Sequence, residues 1–155
     1  MEQGLHATAV AVCSSLGLLF ATYSTGHLRV FDVVARSLLA EAALHSRAVS
    51  GLTVLSATCG GESFALVGTV GEDGMMLVTR AVRSEQEERA GEVELEVCRA
   101  VRLGTGVPVG VVWATRAGTA LDGERGAVLV SMSYDNQYVS MLPLEWMPSS
   151  APVTE

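Results

Sequence analysis

The 155 residues suffice for one domain of ordinary size and leave no room for a second. Hydrophobic residues make up 49% and charged residues 17%, which excludes a disordered chain and lets a core form without disulfides or metal. Ten basic residues against seventeen acidic ones leave a net charge of −7, the wrong sign for nucleic acid or an anionic membrane, so neither is expected as a partner.

Residues 7–21 are apolar, but Glu2 is the only charge before them, and Ser14, Ser15 and Gly17 interrupt the run. A signal peptide would carry Lys or Arg there, and a membrane span needs about 18–20 unbroken apolar residues. Beyond this point apolar positions fall in short runs or alternate with polar ones, as in Leu28, Val30 and Val33, then Met76 and Val78, then Val128 and Val130. That period predicts strands over 9–15, 18–23, 27–34, 37–43, 49–56, 64–70, 75–81, 92–101, 109–115, 127–132 and 138–144. Starts spaced by about 8–12 residues are the mark of an all-β sandwich, barrel or propeller. The charged stretch from Arg83 to Gly91 reads as a solvated hairpin loop or, as the alternative, an interaction element, with Glu85 to Gly91 the most mobile internal segment, and residues 148–155 read as a flexible tail.

Self-similarity chooses among these architectures. Leu5-His6-Ala7-Thr8-Ala9-Val10 aligns with Leu44-His45-Ser46-Arg47-Ala48-Val49 at a spacing of 39 residues, close to the ~40–45 residues of a four-stranded propeller blade. Downstream, Ser24-Thr25-Gly26, Asp73-Gly74 and Asp135-Asn136 each place a tight polar turn before a β-rich run. Such residues tolerate the positive φ that short hairpin turns demand.

On these residues the chain resembles the WD-repeat family of β-propellers. In residues 44–81, His45 stands at the blade opening, Val49 and Leu52 in the inner strand, Thr69 in the second strand and Asp73-Gly74 in the turn. Val78-Thr79-Arg80 replaces the closing Trp-Asp, whereas Phe31-Asp32 keeps a version of it in the first repeat, beside His6. The first repeat has Ala21 and Thr25 where a hydroxyl and an Asp would stand; the third keeps Ser131 and Asp135 but has Thr105 and Met141 at the His and Trp positions. The resemblance implies a partial β-propeller of about three four-stranded antiparallel blades over 1–147, divided near 5–45, 46–104 and 105–147. It also implies a structural polar network built on His45, Thr69 and Asp73, with Ser131 and Asp135 as the partial set of the third blade, and a non-catalytic scaffold role in protein–protein interaction.

Other chemistry reads weakly. Cys13, Cys59 and Cys98 form no C-x-x-C pair, which fits a reducing, cytoplasmic setting. Gly104-Thr105-Gly106 and Cys59-Gly60-Gly61 lack the Lys and the following helix of a phosphate loop. His6, His27 and His45 have no ligand-spaced partners, so no metal, cofactor or catalytic residue is assigned. The alternative is a small intracellular enzyme or ligand-binding β-domain in which His27 or Asp135 acts at a pocket. Three blades cannot close a ring that typically needs about four to eight, so self-association, or a second propeller-bearing chain, or a longer parent protein is expected to cover the two ends.

Overall fold

The computed structural model describes residues 5–84, 91–104, 106–115, 127–134 and 139–143. These residues hold strands β1 (Ala7–Cys13), β2 (Leu18–Tyr23), β3 (His27–Asp32), β4 (Leu38–Ala43), β5 (Val49–Cys59), β6 (Glu62–Gly71), β7 (Met75–Arg83), β8 (Val93–Arg102), β9 (Pro108–Thr115), β10 (Ala127–Ser133) and β11 (Val139–Pro143). Every strand pairs antiparallel with its sequence neighbour, in sheets β1–β4, β5–β8 and β9–β11. Each predicted strand has its counterpart.

The β5–β6 hairpin is longer than its hydrophobic pattern predicts. Gly60 and Gly61 both take positive φ, 59° and 86°. This two-residue turn lets pairing run to Cys59 and Glu62. Likewise β7 extends through Arg83, whose backbone pairs with Val93. Arg83 is therefore a strand residue and not the start of a solvated loop; Glu85 to Ala90 lie outside the described residues.

The second sheet is buried on both faces, which is why β6 reads as an unbroken buried run from Phe64 to Gly71. On one side Ala65, Val67 and Ala81 meet Cys13, Leu18, Phe20, Leu28 and Val30 of the first sheet. On the other, Phe64, Leu66, Val70, Met76 and Val78 meet Ala127, Leu129 and Leu142 of the third. Strand β5 touches both β1 and β9, so the first strand of each sheet lies on a shared inner edge. The approach there is close: a Cβ on Gly51 would stand 3.0 Å from the Val111 nitrogen and 3.1 Å from Gly110 Cα.

One backbone device repeats in all three sheets. Ser24 N donates to His6 O, Glu72 N to Ala48 O and Tyr134 N to Val107 O, each at 2.9 Å. In each sheet a bulge follows, leaving Thr8, Ser50 or Val109 as the extra residue on the inner strand. Ala7, Val49 and Pro108 are thus equivalent, and the sequence alignment at 39 residues is out of structural register. His6 matches Ala48, not His45, because the connection before β5 is longer than the alignment assumes. The position equivalent to His45 in the first sheet falls on Gln3, outside the described residues.

Candidate functional site

His45 precedes β5 in the connection from β4, and its ring enters the interior beside the β6–β7 turn. Its Nδ1 lies 3.0 Å and 3.2 Å from the two carboxylate oxygens of Asp73, and Nε2 lies 2.9 Å from Thr69 Oγ1. A carboxylate can only accept, so the ring proton sits on Nδ1 and the Thr69 hydroxyl can donate to Nε2. Asp73 also accepts from Ser46 N at 3.0 Å and Met75 N at 3.1 Å, tying the turn to the incoming chain. Burial works to raise the Asp73 pKa, but the hydrogen bonds from His45, Ser46 and Met75 outweigh it and hold the carboxyl below its usual range. Gly71 leaves the ring its space, since a Cβ there would come within 2.5 Å of His45 Nδ1.

The network also joins two sheets. Gly26 O, in the β2–β3 turn, accepts from Leu44 N at 3.1 Å and His45 N at 3.0 Å. Gly26 adopts φ 84°, and a Cβ there would stand 2.0 Å from His45 O. Only glycine fits at that crossing.

Ser131 occupies the register position of Thr69, one sheet on, and is buried. With no histidine before β9, its hydroxyl donates to Gly110 O at 3.0 Å. Asp135 lies outside the described residues. At the surface, His27 Nδ1 stands 3.0 Å from Thr25 Oγ1 and its Nε2 4.0 Å from Glu41. Among the described residues no three His, Cys, Asp or Glu gather at metal-binding distance, and no helix is long and apolar enough to cross a membrane.

Two junction contacts escaped the sequence reading. Arg83 Nη2 donates to Asp32 Oδ2 at 2.6 Å, and Nη1 donates to Leu16 O at 3.3 Å, linking the second sheet to the first. Asp32 Oδ1 also accepts from Val34 N and Ala35 N at 2.8 Å and 2.7 Å. The Ala35 amide and the Arg83 guanidinium hold its carboxyl below the usual range. Across the other junction Trp113 Nε1 donates to Leu66 O at 3.1 Å. The Phe31-Asp32 dipeptide signalled the first contact only in part, because its partner lies 51 residues away.

The outward faces of the end sheets present apolar side chains. Val130, Met132, Val139 and Met141 on the third sheet match Phe20, Thr22, Leu28 and Val30 on the first, and Gly68, Val70, Met76 and Val78 on the second. In those sheets the positions lie inside a junction, with Phe20 and Val30 0% exposed. On the third sheet Met141 is 68% and Met132 55% exposed. Val10 and Val12 of the first sheet match Leu52 and Val54, then Val111 and Trp113, all packed against cores, yet they are 65% and 54% exposed.

No family model matches the chain, and no curated protein matches it. Among solved structures it is similar to the crystal structure of the Cps50 (Swd1) β-propeller domain of Myceliophteria thermophila, with a TM-score of 0.57 over 90% of this chain at 16% identity. The chain spans 38% of the length of that protein chain. The three stacked antiparallel sheets with a shared inner edge are blades, and the fold is that of a partial β-propeller.

Proposed function

We propose that the chain is a non-catalytic, WD-repeat-like scaffold segment that mediates protein–protein interaction, with blades near 5–45, 46–104 and 105–147. The observation that carries this reading is the register match of Val130, Met132, Val139 and Met141 to buried junction positions. Contiguous exposed apolar surface of this kind marks an interaction site. The hydrogen-bonded set His45, Thr69 and Asp73 supports the WD-like character of the second blade; there it orders a turn, and the Thr69 residue and the His45 side chain are both 0% exposed, closed off from a substrate. The enzyme alternative through His27 gains no comparable support, since that ring sits among Thr25 and Glu41 at the surface.

Purification of the tagged chain from its native source tests the reading. A native complex heavier than 16.2 kDa is expected for the wild type, reduced to the single-chain mass in a V12E/M141E double variant. A lone wild-type chain, or a complex indifferent to both substitutions, would overturn it.

A further inference from the structure

We infer that the β1–β2 turn, residues 14–17, is a latch between the first two blades that opens locally, without the chain unfolding, and so gates access to the buried thiol of Cys13. The thiol belongs to the core between these blades and is 4% exposed. Cys13 Sγ stands 3.4 Å from Ser15 Oγ, and Leu16 packs against the same core, so the turn covers the thiol. Both ends of the turn are fixed to the first blade, through the pairing of Cys13 with Leu18 and the bond from Val33 N to Gly17 O at 3.0 Å. Gly17, at φ 63°, reverses the chain between them.

What lies between those ends holds itself weakly. Its own backbone bonds, Leu16 N to Cys13 O and Gly17 N to Ser14 O, are both 3.3 Å long, past the usual range of about 2.7–3.2 Å. Two ties to the second blade close it. Ser15 Oγ and Ser56 Oγ meet at 2.6 Å, and Arg83 Nη1 donates to Leu16 O at 3.3 Å while Asp32 holds Nη2. Both ties are at the surface, where Ser15 and Ser56 are exposed and the Arg83 side chain is 35% exposed. Water can replace each partner as the turn lifts, so opening leaves no buried polar group unpaired. Its apolar cost is confined to Leu16 and the thiol, since β1, β2 and β5 keep their pairing. A segment held in this way opens at a free energy well below that of global unfolding.

Alkylation of the full native chain by N-ethylmaleimide, read residue by residue by mass spectrometry, tests the inference. Cys13 should react more slowly than in the unfolded chain, at a rate that stays flat in low urea, because local opening exposes little surface. Ser56→Ala and Arg83→Ala should each raise that rate by about three- to tenfold through the lost tie, with the flat urea response retained. Ser56→Ala removes one exposed hydroxyl and keeps the test in place should Arg83→Ala fail to melt cooperatively. Asp73→Ala weakens the fold elsewhere and serves as the control: it should lower the urea midpoint without changing the reactivity of Cys13. A rate that climbs steeply from the lowest urea and rises in Asp73→Ala would mean that the thiol is reached only by global unfolding, and would overturn the latch. So would a wild-type rate equal to that of the unfolded chain, or rates indifferent to the loss of the Ser56 and Arg83 ties.

Discussion

Arg83 and Asp32 meet at 2.6 Å across the first blade junction, the guanidinium at the end of β7 donating to the carboxylate at the end of β3. Asp32 simultaneously accepts from Val34 N and Ala35 N, so one side chain closes its own turn and anchors the neighbouring blade. Asp32→Ala should therefore lower the melting temperature more than Arg83→Ala. In a double-mutant cycle the effects should be less than additive, since either change removes the shared contact. Additive losses would mean that the pair contributes nothing across the junction.

Asp73→Ala leaves His45 Nδ1 and the Ser46 and Met75 amides without their acceptor. Uncompensated donors of this kind cost about 1–3 kcal/mol, measurable by urea titration. Ser131→Ala removes a single bond to a backbone carbonyl and should cost less, about 0.5–1.5 kcal/mol.

Gly26→Ala places a Cβ against the His45 carbonyl at a backbone angle that L-residues disfavour by about 1–2 kcal/mol. Because that carbonyl belongs to the connection carrying His45, the variant should lose the network as well. Slowed hydrogen exchange at the Ser46 and Met75 amides in the native protein should disappear in the variant; retained protection would separate the turn from the network.

Thr79 is fully buried in β7, and its hydroxyl finds no partner among the described residues. It pairs with Val67 of β6, on the face packed against the first blade. Thr79→Val removes an unsatisfied polar atom while keeping the branched shape, and should raise stability by about 1 kcal/mol in the same urea titration. A destabilised variant would show that the hydroxyl is satisfied in solution.

Acid should unfold the chain through Asp32 and Asp73. Both carboxyls are held below their unfolded value of about 3.9, so their contribution is complete above that pH and lost as pH falls through the lower folded values. Circular dichroism followed downward from neutral pH should show the loss beginning below about pH 4. A D32N/D73N variant should be less stable at neutral pH and flatter in its acid response; an unchanged acid profile would place the sensitivity in other carboxyls.

The strands were legible locally. Alternation at Leu28 and Val30, and at Val128 and Val130, needs only the period-2 geometry of a half-buried strand, and the Gly and Asp turn residues mark where each run reverses. The His45, Thr69 and Asp73 set entered through the resemblance to WD-repeat blades and not through local pattern; the structure places the three side chains within hydrogen-bond distance across one hairpin and its incoming connection. Register between blades was not legible. His6 resembles His45 in its neighbours, yet the length of the connection before β5 puts Ala48 at the equivalent place, and similarity of a few residues carries no information about loop length. Nor could local pattern find the Arg83–Asp32 clamp or the Trp113 bond to Leu66, whose partners meet only after separate sheets have stacked. Eleven strands and their antiparallel hairpins could be read from the chain alone, because they depend on neighbours along it. The tertiary structure decided which faces those strands bury, because burial depends on what the next blade brings. Met141 and Val30 are alike in sequence terms, and only the presence of a blade beside one and not the other makes the first exposed and the second core.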